Sequence, residues 1–311
     1  MLLRILLGIL VVAAVLAGAI AYAAFRLPQP IQIDMSGNRR ALLYRLSGGP
    51  RPTLIVLHSY SGDALTTARY SGFLQAALPR GFNVVFPEAV GHEWHDSPEG
   101  NPAHADDVAF VAALVEKLTA EQIADPHRTF VAGISNGGMM AFALVCARPD
   151  LFAGIGTISA GMPKDAFASR RPTKPMRLLM INGDADDVLP YAGGHVGDPA
   201  NFFRRTAGVE ETARLFAHAN GCEAANEPRR TQMRDSRRLI EQIEWNCPSN
   251  VTVTVIKVIG GGHDVIRWRA PWQAFLGVPP RGPASAAAIV DRFADASDRA
   301  RLVRLPSDRP P

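Results

Sequence analysis

The fold is decided by one stretch of the chain, residues 128–137, which reads RTFVAGISNG. Its apolar first half predicts a buried strand, and the residues from Asn136 onward predict a helix that must end before Pro149. Between strand and helix stands a Gly-x-Ser-x-Gly pentapeptide centred on Ser135. So sharp a turn leaves no room for side chains two residues before and after the serine, which explains glycine at both places. The pattern predicts that the Ser135 hydroxyl projects above the sheet.

Five further apolar runs predict strands that accompany the first one. They cover residues 53–58, 82–87, 154–160, 176–182 and 251–259. Most of them are too apolar to be half exposed, so they suit a mostly parallel central sheet with helices on both faces. One helix is expected to be capped by Asp106 or Asp107, and a terminal helix is expected over residues 284–296. Residues 210–250 are polar and predict an irregular excursion from the sheet. The predicted fold class is α/β.

The composition fits one large domain and excludes several other classes of protein. The chain has 311 residues, of which 47% are hydrophobic and 20% charged, so it can bury a sizeable core. Its formal charge of +4 is spread over 33 basic and 29 acidic residues, which gives no strong field for nucleic acid. Five arginines between residues 229 and 238 are interleaved with acidic residues, and this pattern indicates a solvated face. We expect no nucleic-acid partner.

The N-terminal segment predicts export from the cytoplasm. Residues 5–25 are uncharged and lie between Arg4 and Arg26, and the run ends in the Ala-Tyr-Ala of residues 21–23. Such a segment is either a cleaved signal peptide or a membrane anchor, and both place the remainder outside the cytoplasm. The expected organisation is therefore a signal or anchor over residues 1–25, a catalytic domain over residues 31–296 and a polar tail over residues 297–311. The protein would be secreted or periplasmic, with membrane contact only through the anchor.

An oxidising compartment changes the meaning of the three cysteines. Cys222 and Cys247 flank a polar stretch, and a disulfide between them is predicted. Cys146 follows an apolar helical run and is expected to be a buried thiol outside that bridge.

The chemistry of Ser135 requires partners from later in the chain. A serine hydroxyl is a poor nucleophile unless a base, itself held by a third group, accepts its proton. Asp186 follows the predicted strand that ends at residue 182, and His263 follows the one that ends at residue 259. Both lie just past the carboxyl end of a strand, where open α/β sheets place their ligands. The backbone N–H of Asn136, at a helix N-terminus, can face a developing oxyanion.

The order of motifs resembles that of the polyhydroxybutyrate depolymerase type of esterase, a secreted branch of the α/β-hydrolases that also includes feruloyl and acetylxylan esterases. The matching stretches are LIVLH (54–58), DDVAF (106–110), GISNGGMM (133–140), RPDLF (148–152), NGDADDVLPY (182–191), NGC (220–222) and GGGH (260–263). The resemblance implies an α/β-hydrolase fold and a cofactor-independent esterase, with Ser135 as nucleophile, Asp186 as acid and His263 as base. Asp184 and Asp187 are rivals for the acid, but the family pattern places its aspartate at position 186.

Two departures from the family concern the substrate site. The family has His-Gly after its early strand, whereas this chain has His58 followed by Ser59 and Tyr60. The second oxyanion donor is expected to be the backbone N–H of Tyr60 or Ser59, with His58 supporting the loop. After His263 the family's Trp-Pro is replaced by the Asp-Val of residues 264–265, which leaves the acyl and alcohol preferences open.

The segment His92-Glu93-Trp94-His95-Asp96 also invites a functional interpretation. Its histidines are spaced i, i+3 in a loop, not i, i+4 on a helix as in a zinc-binding H-E-x-x-H motif, so no metal is predicted. Trp94 is expected to line the cleft and bind substrate.

The sequence therefore predicts a serine carboxylesterase that acts on a small-molecule or oligomeric ester. A serine peptidase or acyltransferase with the same triad remains open, and so does a non-catalytic binding module. Because about 30 residues after position 280 are too few for an independent adhesion domain, soluble esters are expected to be better substrates than a crystalline polyester.

Overall fold

A computed structural model describes residues 28–96, 106–169, 171–197, 205–222, 227–234, 239–248, 251–263 and 284–302. The chain divides into two units, Met1–Pro30 and Ile31–Pro311, and the architecture below is that of the second unit. The predicted export segment lies outside the described residues. Within the described part of the chain, no helix is long and apolar enough to cross a membrane.

Ten strands form one mixed, mainly parallel sheet in the order β1-β2-β4-β3-β5-β6-β7-β12-β11-β10. These strands are β1 (Ile31–Met35), β2 (Arg39–Tyr44), β3 (Arg51–Leu57), β4 (Asn83–Pro87), β5 (Ala124–Ile134), β6 (Gly154–Ile158), β7 (Arg177–Gly183), β10 (Arg229–Arg234), β11 (Leu239–Asn246) and β12 (Thr252–Val258). The short strands β8 (Gly194–His195) and β9 (Arg205–Thr206) form a separate ladder. The inner strands from β4 to β12 are parallel, and antiparallel strands complete both edges.

All six predicted strands are present, and they are the six parallel ones. Their ends differ from the prediction by a few residues, with the largest difference at β5, which begins at Ala124. β4 and β6 are buried along their whole length. Burial on both faces is why these segments read as continuous apolar runs. The predicted fold class is confirmed.

The prediction of an irregular excursion over residues 210–250 is wrong. This region contains most of an 11-residue helix, Val209–Ala219, and the antiparallel pair β10 and β11. β10 is the edge strand and is exposed at every residue, while β11 fully buries only Ile243 and Trp245. A strand with so little buried surface needs few apolar residues, so its sequence looks like a loop. The antiparallel strands β1 and β2 at the opposite edge were not predicted either.

Seven helices are described. They are α1 (Ala64–Tyr70), α2 (Phe73–Ala77), α3 (Asp107–Ala120), α4 (Asn136–Ala147), α5 (Lys164–Ser169), α6 (Val209–Ala219) and α7 (Ala284–Leu302). Asp106 caps α3 by accepting a hydrogen bond from the Ala109 N–H at 2.9 Å. Asp107 is instead buried and pairs with the guanidinium of Arg39. α4 ends before Pro149 as predicted, whereas α7 continues past residue 296 to Leu302.

The helices cover both faces of the sheet. On β5, Val131 belongs to the apolar core that includes α3, α4 and α6, whereas the neighbouring Phe130 stacks on Phe293 of α7 with ring centroids 4.5 Å apart. Successive side chains of a strand point to opposite faces, so α7 lies on the other face from α4. Ile289 of α7 packs directly over Gly156 of β6, where a Cβ would be 2.6 Å from its Cγ2.

The predicted disulfide between Cys222 and Cys247 is present, with Cα atoms 4.1 Å apart. It ties the segment after α6 to the end of β11, and so fixes the antiparallel β10–β11 pair to the rest of the domain. Cys146 lies outside the bridge and is only partly buried, against the core that α4 helps to form.

Removing the disulfide should destabilise the protein measurably. The bridge spans 25 residues of sequence, and a loop of that length corresponds to about 3 to 4 kcal/mol in the chain-entropy account. We expect the double variant Cys222→Ala/Cys247→Ala to lose roughly this much unfolding free energy in denaturant titrations, and Cys146→Ala to lose less. A double variant as stable as the wild type would contradict the stabilising role.

Candidate active site

Ser135 occupies a strained turn between β5 and α4. Its backbone has φ 54° and ψ −119°, outside the regions that non-glycine residues ordinarily adopt. A Cβ on Gly133 would overlap the carbonyl of Gly137, and a Cβ on Gly137 would overlap the carbonyls of Leu57 and His58. The backbone thus requires glycine at both places, as the sequence predicted. The turn raises the serine side chain at the carboxyl edge of the sheet.

The structure brings Ser135, Asp186 and His263 together from positions far apart in the chain. The Ser135 Oγ lies 3.0 Å from His263 Nε2. His263 Nδ1 lies 2.9 Å from Asp186 Oδ2 and 3.1 Å from Oδ1. Because a carboxylate only accepts, Nδ1 carries the proton and Nε2 presents a lone pair to the serine hydroxyl. This arrangement can remove the Ser135 proton.

The Asp186 carboxylate is held firmly where it meets His263. Its side chain is fully buried, and Oδ1 also accepts hydrogen bonds from the backbone N–H groups of Val188 at 2.9 Å and Leu189 at 2.8 Å. His263, by contrast, keeps about a quarter of its side chain exposed, 27%. A buried, fixed carboxylate behind a partly exposed imidazole favours one ring orientation and leaves the reacting edge accessible.

Neither rival aspartate contacts His263 in the contacts of the described residues. Asp184 Oδ1 accepts a hydrogen bond from the Gly260 N–H at 2.6 Å, and Oδ2 lies 3.7 Å from the Lys257 ammonium. The Ala185 N–H donates to the Gly261 carbonyl at 2.9 Å, so the segment before Asp186 is fastened to the segment before His263. Asp187 is exposed. The sequence did not predict this structural role of Asp184.

Asn136 offers its backbone, not its side chain, to the site. Its Oδ1 accepts from the Trp94 N–H at 2.8 Å, and its Nδ2 donates to the Trp94 carbonyl at 3.0 Å. Both the oxygen and the nitrogen of the Asn136 side-chain amide are therefore hydrogen-bonded to the backbone of Trp94. As the first residue of α4, Asn136 has a backbone N–H without a helical acceptor.

The loop after β3 has a defined orientation. The Ser59 carbonyl accepts from the Gly62 N–H at 2.9 Å and from His58 Nδ1 at 2.8 Å, while the Ser61 N–H donates to the His92 carbonyl at 2.9 Å. In a trans peptide the N–H points opposite to the C=O, so the Tyr60 N–H points away from His58 and Gly62. The His58 carbonyl is fixed as well, by the Trp94 indole N–H at 3.0 Å, so the direction of the Ser59 N–H is also defined. Both predicted donors therefore stay open.

His58 holds this loop as a neutral side chain. The Ala89 N–H donates to His58 Nε2 at 3.1 Å, so Nε2 carries no proton and Nδ1 is the donor to the Ser59 carbonyl. Burial lowers the pKa of His58, because the charged imidazolium would lose its hydration. These contacts show that His58 supports the loop after β3, and the role of that loop toward an oxyanion stays a prediction.

The prediction that Trp94 lines the cleft is wrong. Its side chain is completely buried. The indole Nε1 donates to the His58 carbonyl at 3.0 Å, and the ring packs 4.9 Å from the His58 ring. A buried indole needs a partner for its N–H, and here that partner is the backbone at the start of the loop after β3. Tyr60, in the loop after β3, is by contrast exposed, with 43% of its surface accessible.

The histidines around Trp94 are engaged in packing loops together. His92 Nδ1 lies 2.8 Å from the Gly62 carbonyl. The backbone N–H of His95 donates to the buried Asp107 carboxylate at 2.8 Å. Across the described ranges, no group of three His, Cys, Asp or Glu side chains could hold a metal ion. The departure at residues 264–265 lies outside the described residues.

Comparison with solved structures identifies the fold class. An acetyl xylan esterase from Aspergillus awamori superposes with a TM-score of 0.55 at 18% identity, over 76% of this chain and 94% of that one. Residues 72–161 also match the family model of the prolyl oligopeptidase family, Peptidase_S9. The matched region includes Ser135 but neither Asp186 nor His263. The fold is that of an α/β-hydrolase.

Sequence relatives narrow this class to a family. NocK of Nocardia uniformis subsp. tsuyamanensis, named as an esterase, is 32% identical over 284 residues, which span 84% of this chain and 80% of NocK. Feruloyl esterase B of Piromyces equi is 28% identical over 68% of this chain and 39% of its own length. A poly(3-hydroxybutyrate) depolymerase of Ralstonia pickettii is 37% identical over 48% of this chain and 33% of its own length. The chain thus belongs to the esterase family related to polyhydroxybutyrate depolymerases and feruloyl esterases, and it is a carboxylic ester hydrolase.

Proposed function

We propose that this protein is an extracytoplasmic serine carboxylesterase in which Ser135 is the nucleophile, His263 the base and Asp186 the acid. The observation that carries the proposal is the continuous hydrogen-bonded chain from Ser135 Oγ through the His263 ring to Asp186. Such a chain in a member of an esterase family is the arrangement that acyl transfer requires.

The reaction proceeds through an acyl-enzyme. His263 Nε2 takes the proton of Ser135 as Oγ attacks the ester carbonyl, and Asp186 stabilises the resulting imidazolium through Nδ1–H. The backbone N–H of Asn136 and that of Tyr60 or Ser59 hold the oxyanion of the tetrahedral intermediate. His263 then protonates the leaving alcohol. Water then loses a proton to the same imidazole and attacks the acyl-enzyme. The second tetrahedral intermediate breaks its bond to Oγ, the imidazolium returns the proton to Oγ, and the carboxylic acid leaves.

The proposed substrates are soluble esters, small or oligomeric, with a short acyl or a hydroxycinnamoyl group. Two observations support this class. Relatives of the chain are named for feruloyl, acetylxylan and hydroxybutyrate esters. The exposed ring of Tyr60 stands next to the proposed oxyanion donors and offers an aromatic face to an acyl or aryl group.

The extracytoplasmic location rests on two features. The disulfide between Cys222 and Cys247 is typical of an oxidising compartment. The uncharged residues 5–25 favour export, either as a cleaved signal or as an anchor. The proposed organisation keeps the catalytic domain at residues 31–296, and any membrane contact is confined to residues 5–25.

A substrate panel tests the proposal. We expect the purified protein to hydrolyse soluble short-chain p-nitrophenyl esters and methyl hydroxycinnamates faster than crystalline polyhydroxybutyrate. A soluble ester enters the cleft directly, whereas a polymer segment must first leave its crystal. Peptide amides and added acyl acceptors, tested alongside, address the peptidase and acyltransferase alternatives. Clearing of crystalline polymer with negligible turnover of soluble esters would contradict the substrate class, and preferred cleavage of peptides would contradict the esterase itself.

A further inference from the structure

The carboxyl end of β6 makes a hydrogen bond to each of the three segments that carry the proposed triad. The Ile158 carbonyl accepts from the Ser135 N–H at 2.9 Å. The Ser159 N–H donates to the Ile181 carbonyl at 2.9 Å, on the strand that leads to Asp186. The Ser159 hydroxyl donates to the His263 carbonyl at 3.1 Å. Ile158 and Ser159 therefore connect the three backbone segments that carry the proposed nucleophile, acid and base.

Ser159 has an unusual conformation for a buried serine. It is completely buried, and its φ of 49° lies in the left-handed region that favours glycine. Glycine would adopt this backbone without strain, so the hydroxyl is what serine adds at this position. That hydroxyl donates its hydrogen bond to the backbone carbonyl of His263.

The hydrogen bond from the Ser159 hydroxyl matters because the contacts of the His263 side chain do not by themselves fix the position of the His263 backbone. The ring is held by Asp186 on one side and meets Ser135 on the other, and the side chain is partly exposed. Among the described residues, the hydrogen bond from Ser159 is the one that reaches the His263 carbonyl. Movement of this carbonyl would carry the imidazole away from the Ser135 hydroxyl.

We propose that Ser159 is a positioning residue for His263: its buried hydroxyl fixes the backbone from which the imidazole reaches Ser135. This inference rests on the proposed function of the triad. Ser159 touches none of the reacting atoms, so its removal lowers the fraction of molecules in which His263 is aligned and does not alter substrate binding. Misalignment of a catalytic group by about 1 Å can cost on the order of 100-fold in rate.

The test compares two variants that lack the hydroxyl with a matched control. Ser159→Ala retains the Cβ and the strain, Ser159→Gly removes both, and neither can donate to the His263 carbonyl. Thr157→Val is the control, because Thr157 lies on β6 two residues before Ser159, is equally buried, and its hydroxyl has no hydrogen-bond partner among the described residues. The measurements are kcat and KM on a soluble ester and the labelling rate by a serine-directed phosphonate. The amount of phosphonate bound per protein molecule at the end of labelling measures the fraction of each variant that is folded.

We expect both Ser159 variants to lose roughly 10- to 100-fold in kcat and in labelling rate, with KM within about twofold of wild type. Thr157→Val should keep wild-type kinetics, and Ser159→Cys, which retains a weak donor, should recover part of the rate. If Ser159→Ala does not fold, the strain-free Ser159→Gly carries the test. Wild-type kcat in either variant, or an equal loss in Thr157→Val, overturns the inference. Failure of the wild type to take label at Ser135 would instead overturn the proposed function.

Discussion

Ser135→Ala is expected to lower turnover by a factor on the order of 10⁶ and to leave the fold intact, because members of a triad act as a unit. Without Oγ no acyl-enzyme forms, and His263 has no proton to remove. The Cβ of alanine occupies the space that the serine Cβ already occupies at φ 54°, so the substitution adds no strain to the turn. The glycines that make the turn possible are unchanged.

The measurement combines turnover of a soluble ester with phosphonate labelling and peptide mapping. The wild type should carry label at Ser135 alone, and the variant should carry none. Ser71→Ala is the matched control, because Ser71 is also buried and its hydroxyl accepts a hydrogen bond from the Phe73 N–H, far along the chain from the triad. Label on a different serine, or variant turnover within about tenfold of wild type, would refute the assignment of the nucleophile.

The inner sheet could be predicted because its physics is visible along the sequence. Strands buried on both faces need apolar residues at almost every position, and the turn at Ser135 needs glycine where backbone atoms approach. The same logic explains the failures at the edges. β10 is exposed along its whole length and consists mainly of arginine and other polar residues, so nothing in its composition distinguishes it from a loop.

The candidate site was predicted only in part, because chemistry and packing use the same residue types. Trp94, next to histidines, suggested a residue that lines the substrate site. In the structure its indole N–H donates to the His58 carbonyl, and its ring packs against the His58 ring. Ser159 carried no signal, since a lone serine at the end of a strand acquires meaning only when a residue 104 positions later is folded against it. Long-range pairing of this kind is not encoded in local spacing.

The choice among three neighbouring aspartates shows how the structure sharpens such a prediction. Position in a family pattern favoured Asp186 over Asp184 and Asp187. In the structure, Asp186 alone of the three is fully buried against the His263 ring, and two backbone N–H groups fix its orientation. Asp184 has its oxygens committed to Gly260 and Lys257. Asp186 should therefore differ sharply from the other two when each carboxyl group is converted to its amide.

We expect Asp186→Asn to lower kcat on the order of 10⁴-fold, because an amide in this place favours the wrong imidazole tautomer and cannot stabilise the imidazolium. Asp184→Asn keeps an oxygen that can accept from the Gly260 N–H, so it should retain most activity and lose only the attraction to Lys257, which is partly exposed. Asp187→Asn, at an exposed position, should behave as wild type.

The kcat values of the three amide variants, measured on one soluble ester, decide between the carboxyl groups. Unfolding midpoints measured in parallel separate loss of chemistry from loss of fold. The Asp186 amide can still occupy the buried site, and its oxygen can still accept from Val188 and Leu189, so its stability should fall far less than its activity. A 10⁴-fold loss in Asp184→Asn or Asp187→Asn, with Asp186→Asn still active, would move the acid to that residue.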